Sequence, residues 1–334
     1  MDHLPVHSQV VLSHTCRSIR LIHRLNPDKS RLDREEVLAL LSCLVRDMPN
    51  QWVCEGCVKL HDTERFDTPG VSQGRRCPQN NRLDVLRLGD IEFTHHNIQL
   101  ALKYARMSKI DKTAQRYLDA VLASHQCPPP PHWDYLCQNG VVAKHSFFPK
   151  IVEGRFIIQS TIHFDPVNPA LQRMSPENLP YWKVCPHQRS LCGHSLQSQN
   201  QILRRPLRTE YFLWATLLEG SEYEGSEACG SCPRCPTDFA FQIDTGPAGR
   251  ATLRVWVDLG PEDSPMNAIW IHRVGKERSW DPDLQNNERG RVRGLYESWP
   301  GRTAPKRRAE IDSLAISSPE TSPVPGLFFA FRVG

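Results

Sequence analysis

Cys54, Cys57 and His61 lie within one short stretch, WVCEGCVKLH, and Cys77 follows sixteen positions after His61. A Cys-x-x-Cys pair lets two thiolates reach one ion from a tight turn. A histidine four residues on is expected one helical turn away, and a thiolate from the next loop closes a tetrahedron. That makes a Cys3His set of the kind that holds structural zinc. The polar stretch over 62–82 has no apolar core of its own, and a metal would tie it down.

A second concentration has two halves. VCPHQRSLCGH supplies Cys185, His187, Cys192 and His194, and CGSCPRC supplies Cys229, Cys232 and Cys235. A Cys-x-His pair on an extended segment points both side chains to one face, because the strand period is two. The preferred set is Cys185, His187, Cys232 and Cys235, with Cys192, His194 and Cys229 as alternatives. Each set should bring its sulfur and nitrogen atoms to within about 4 Å of one another, since Zn–S is near 2.3 Å.

Other thiol chemistries fit less well. A ferredoxin-type run needs a fourth cysteine where Phe239 stands. A thioredoxin-type pair opens a helix after a strand, whereas this one precedes a strand pattern. The first residues, MDHLPVHSQVV, lack a basic segment followed by an apolar one. A reducing compartment, cytoplasmic or nuclear, is therefore expected, and twelve cysteines there read as thiols and ligands rather than disulfides. Cys16, Cys43, Cys127 and Cys137 read as ordinary residues.

No catalytic pattern appears: there is no GxSxG, HExxH or P-loop. His95 and His96 fall in an amphipathic helix pattern and are expected to be exposed. No run of 18 apolar residues suggests a membrane span. A net charge of +4 is too mild to argue for nucleic acid. Arg289 to Arg308 holds seven basic residues against one acidic and reads as a solvated tail, with APKRR (304–308) resembling a nuclear-import signal.

The elements that must position these ligands change type along the chain. Residues 6–24 read as helix. A capping-box-like start at Ser30 to Asp33 leads into a helix with Val37, Leu38, Leu41, Leu44, Val45 and Met48 on one face, stopped by Pro49. Thr94 starts another helix with Ile98, Ala101, Leu102 and Ala105 on one face, and a short one follows over 112–124. QCPPPPHW is an extended connector. From about 150 the period becomes two: KIVEGRFIIQSTIHF reads as strand or hairpin, and FAFQIDTGPAGRATLRVWVDLG as a hairpin with one buried face.

Several phrases, taken in order, resemble a family of filamentous-fungal F-box-domain proteins. They are LVRDMPNQWVCEGCVKLH (44–61), RRCP (75–78), IEFTHHNIQLALKYAR (91–106), VEGRF (152–156), VCPH (184–187), CPRCPTDF (232–239) and VDLGPEDSPMNAIW (257–270). LPVHSQVVLSHTCRSIR (4–20) is similar to the closing half of an F-box only. The resemblance implies a substrate-recognition subunit of a cullin ubiquitin ligase, with a Skp-type adaptor and an unknown protein substrate as partners. Half an F-box would bury less of the adaptor's docking surface.

The expected fold is α+β. A partial F-box-like segment (1–25) and a helical region with the first Cys/His cluster (26–125) precede a β-rich region with antiparallel hairpins (150–273). A low-complexity, largely disordered tail (274–334) follows. The expected function is a non-enzymatic interaction protein with structural zinc. The alternative is a zinc-stabilised binding module with no ligase role, touching nucleic acid through its basic tail.

Overall fold

A computed structural model describes residues 33–63, 77, 85–88, 91–107, 111–127, 141–167, 183–189, 225–244, 249–274 and 288–300. The helix read over 6–24, the F-box-like segment, the connector beyond Cys127, and Cys16, Cys137, Cys192 and His194 lie outside those residues.

The architecture is α+β, with helices in the N-terminal part and a larger antiparallel sheet after them. Helix α1 is Arg34–Val45. Its capping box lies one turn later than the sequence suggests: Asp33 accepts from the Glu36 N–H at 2.8 Å and Glu36 returns a bond to the Asp33 N–H at 3.0 Å. The helix ends before Pro49, as proline requires. Its apolar face is narrower than expected, because Leu38 and Val45 are buried while Leu44 and Met48 are exposed.

WVCEGCVKLHD forms a hairpin of β1 (Gln51–Cys54) and β2 (Lys59–Asp62). A second small hairpin joins β3 (Val85–Leu88) to β4 (Ile91–Thr94). Thr94 is the N-cap of α2 (His95–Arg106), and α3 (Lys112–Val121) follows, capped by Asp111. Between its ends α2 is buried almost throughout, from His95 to Tyr104. His95 and His96, expected on the surface, are therefore interior. Helix α2 lies between the small hairpins, α3 and the large sheet, so no side of it is left for solvent-facing histidines.

The large sheet has six antiparallel strands in the order β10-β11-β12-β7-β6-β5. They are β5 (His125–Cys127), β6 (Val141–Val152), β7 (Arg155–Pro166), β10 (Glu227–Ser231), β11 (Thr237–Ile243) and β12 (Ala251–Pro261). The sheet starts at 125 and 141, earlier than the boundary at 150. Strands β6 and β7 are joined by Glu153 and Gly154, both at positive φ (49° and 72°), the two-residue turn that matches strand twist. A further short hairpin pairs β8 (Lys183–Cys185) with β9 (Gln188–Arg189).

One sheet face carries Phe156, Ile158, Ile162, Phe239, Phe241, Leu253 and Val255 into the main core, which α2 and α3 share. The other face is solvated only in part: Lys144 and Phe148 are exposed there, but the rest of it has a cover. Val152, Ile157, Ala240 and Trp256 pack there against Val292 of a helix, α5 (Arg291–Ser298). This helix is an ordered element inside 274–334, the stretch read as a largely disordered tail. Asp238 accepts from the Gly290 and Arg293 N–H groups at 3.2 and 2.9 Å at its start, and Lys150 donates to the Tyr296 carbonyl at 2.6 Å and to that of Trp299 at its end. A buried carboxylate at the N-terminus and a buried ammonium at the C-terminus both suit the helix dipole. The remaining described helix is α4 (Ala268–Val274).

Candidate metal centres

The first centre is built on the β1–β2 hairpin. Cys54 ends β1, Cys57 sits in the turn, and His61 lies on β2. His61 therefore reaches the site across a strand pair, not one helical turn away. The register brings Trp52 opposite His61 and Cys54 opposite Lys59, so the sequence separation closes through the hairpin itself. Val58 takes a left-handed φ of 56°, uncommon for a β-branched residue, and its N–H bonds the Cys54 carbonyl at 2.9 Å. Cys57 Sγ and His61 Nε2 are 3.0 Å apart. Cys77 arrives from outside the hairpin and is buried.

Helix α2 holds this hairpin from behind. Lys103, fully buried, donates to the Met48 and Gln51 carbonyls at 2.9 and 2.6 Å, and Gln99 accepts from the Val53 N–H at 3.2 Å. Burial lowers the Lys103 ammonium to about 8, and the carbonyls it meets are compensation for its desolvation. Trp52 stacks on His61 at 5.0 Å on one side and on His96 at 4.4 Å, and the Thr94 hydroxyl fixes His96 Nδ1 at 2.7 Å. The chain of rings sets the plane of a candidate ligand.

The second centre joins two hairpins that are 45 residues apart. Cys185 ends β8 and His187 lies in the turn to β9. The pair converges through this tight turn rather than along one extended face. Cys232 and Cys235 form the turn between β10 and β11. There the Cys232 N–H bonds the Thr237 carbonyl at 2.8 Å, the Thr237 N–H bonds the Cys235 carbonyl at 2.7 Å, and the Arg234 N–H points at Cys232 Sγ at 3.4 Å. Cys232 Sγ and His187 Nδ1 are 3.7 Å apart.

Among the described residues, Cys54, Cys57, His61 and Cys77 form one group and Cys185, His187, Cys232 and Cys235 another, each with its ligand atoms all within 4.8 Å of one another. That limit is wider than the 4 Å separation expected from spacing, yet each set closes on one point. All four residues of the second set are buried, whereas Cys57 and His61 of the first are half-exposed. Either donor set suits a metal ion that prefers thiolate and imidazole.

Burial raises the thiols. Cys54 is pushed up to about 12 by desolvation, and Cys57 is raised for the same reason. Cys185 is pushed up to about 12 and Cys235 well above its ordinary range, again by burial first. Cys232 goes down, because Cys185 and then Cys235 hydrogen-bond to it. Three thiols packed this tightly in a dry site are stable as thiolates only with a cation among them, so deprotonation and metal binding are one event.

Cys229, held as an alternative ligand, lies elsewhere. It receives an Arg293 N–H at 3.2 Å on the α5 side of the sheet. Arg293 also pairs with Glu227 at 2.6 Å and lies 4.9 Å over the Trp256 ring, so this part of the basic segment is bound to the protein rather than solvated. Comparison with protein-family models, curated proteins and solved structures finds no match to this chain.

Sequence reasoning missed the supports. Trp52 stands two residues before Cys54 on the same strand, which period two could have revealed. His96 and Lys103 carry no such signal. The CPTDF phrase also divides into separate tasks. Cys235 is a candidate ligand, and Thr237 Oγ1 meets its sulfur at 3.2 Å. Asp238 caps α5, and Phe239 enters the core.

Proposed function

We propose that this chain is a non-enzymatic protein-interaction module whose two Cys3His sets hold structural zinc. The observation that carries this reading is closure: each set already supplies four protein ligands. Tetrahedral Cys/His sites of this composition are structural, whereas a catalytic zinc keeps one position for water or substrate. Zinc is favoured over oxygen-seeking cations by three soft thiolates per set. Metal analysis of protein purified under reducing conditions should give two zinc ions per chain. No bound metal would sink the reading.

We further propose that the module serves as the substrate-recognition subunit of an F-box-type ubiquitin ligase. Support comes from the ordered phrases between 44 and 270, four of which carry the residues of the two candidate centres. Co-purification of the full chain with a Skp-type adaptor under reducing conditions tests it. Two zinc ions without adaptor would leave a zinc-stabilised binding module with no ligase role.

A further inference from the structure

We propose that Arg273 is the counter-charge of the second centre, its buried guanidinium balancing the net negative charge that the loaded Cys185–His187–Cys232–Cys235 set carries. This rests on the zinc reading above. Three thiolates and a neutral imidazole around a divalent ion leave one net negative charge in a dry site.

Arg273 is on α4 and only 5% exposed. Its Nη1 donates to the Val184 carbonyl at 2.9 Å, one residue from the ligand Cys185. Among the described residues no carboxylate pairs with it, and its Nε is buried with no hydrogen-bond partner. A guanidinium does not escape burial by losing its proton, so it needs an anion nearby. The loaded metal set is that anion. Arg234, inside the knuckle, is half-buried as a residue, so water reaches more of it than of Arg273.

The neighbours of Arg273 fit the same role. His272 packs beside the ligand His187 at 6.4 Å, and Trp270 meets His95 of α2 at 5.6 Å. Helix α4 is thus anchored at the second centre at one end and on α2 at the other. Among the described residues the first centre has no buried arginine in this position, and its buried cation, Lys103, meets the Met48 and Gln51 carbonyls further from the ligands. Its thiols respond to burial, to one another, to Cys77 and to backbone N–H groups, and Arg34 reaches only the Glu55 carbonyl at the exposed rim.

An empty set can protonate to neutrality, but a loaded one cannot. Losing the Arg273 charge therefore weakens the metal rather than the empty site. The test is cobalt(II) binding to the full chain, followed by thiolate-to-cobalt absorption against a competing chelator. Arg273→Met should lower the second-centre affinity by about 10–100-fold, the usual range for outer-shell partners, with the first centre unchanged. Arg273→Lys should stay close to wild type, because a single hydrogen bond to a carbonyl does not need the guanidinium fork. A purely structural arginine would lose affinity with lysine as well.

Wild-type affinity in Arg273→Met overturns the proposal. So does a loss in Arg273→Lys as large as that expected for methionine, with the first centre intact. If Arg273→Met does not fold, the lysine variant decides alone by the same criterion. A wild-type chain that takes up no metal overturns the zinc reading instead, so the two failures are distinguishable.

Discussion

The two centres share a donor set and differ in almost everything around it. The first is carried by a four-residue hairpin pair, with Cys57 and His61 half-exposed. The second is buried at all four positions, at the edge strand β10 and the β8–β9 hairpin, with Arg273 beside it. The first is positioned by neutral stacking and by Lys103 and Gln99 acting on backbone. The difference shows that identical ligands can serve two purposes. One set brings Cys77 to a small hairpin that α2 already holds through Lys103 and Gln99. The other brings together ligands from segments 45 residues apart.

The largest expected effect is therefore at the second centre. Cys235→Ala should remove one metal ion and cost at least about 5 kcal/mol, given what structural zinc contributes to folding. Cys57→Ala should remove the other ion at a smaller cost, since α2 still holds the hairpin. Metal analysis with calorimetry checks both, and equal losses would break the comparison. Next comes the order of release. A chelator should take the first ion well before the second, because the first is reached from solvent. Release in a single phase, read by a metal-indicator dye, would contradict the difference in burial.

Acid should act on both halves alike. Burial lowers His95 on α2 and His145 on the sheet to about 3, against 6.5 for a free imidazole. Between those values the unfolded chain binds more protons than the folded one. Stability is thus full above pH 6.5 and falls as the pH drops toward 3. His145→Asn, which keeps a polar partner for the Ser160 hydroxyl at 2.5 Å from His145 Nε2, should reduce that slope by about one proton. Urea unfolding across the pH range measures it. The smallest effect is expected for His96→Ala. It should cost about 1 kcal/mol through the lost ring contact with Trp52. First-centre affinity should soften, and the second centre should not respond.

Much of the candidate site was legible because knuckle ligands are local. Cys54 and Cys57, or Cys232 and Cys235, are close in space for any chain that turns there. The β11–β12 hairpin was legible for a similar reason: Phe239, Phe241 and Ile243 alternate against Leu253, Val255 and Val257 in adjacent strands. What covers the far side of that hairpin was not. Val292 and Arg293 sit in a segment rich in arginine and glycine, and it takes Asp238 and Lys150 at its two ends, Glu227 on Arg293 and Trp256 beneath to make α5 a bound helix. The histidines of α2 misled for a related reason. Amphipathic periodicity assumes one wet face, and α2 has none.

The amino-acid sequence by itself determined the ligand types, their pairing within each turn and the alternation of the strands, all set by geometry over a few residues. Tertiary structure decided which distant ligands close each set, how much water reaches them and which charge stands behind them. Those depend on the packing of elements far apart in the chain. That is why Cys229, three residues from Cys232, lies on the α5 face of the sheet, while His187 lies 3.7 Å from Cys232.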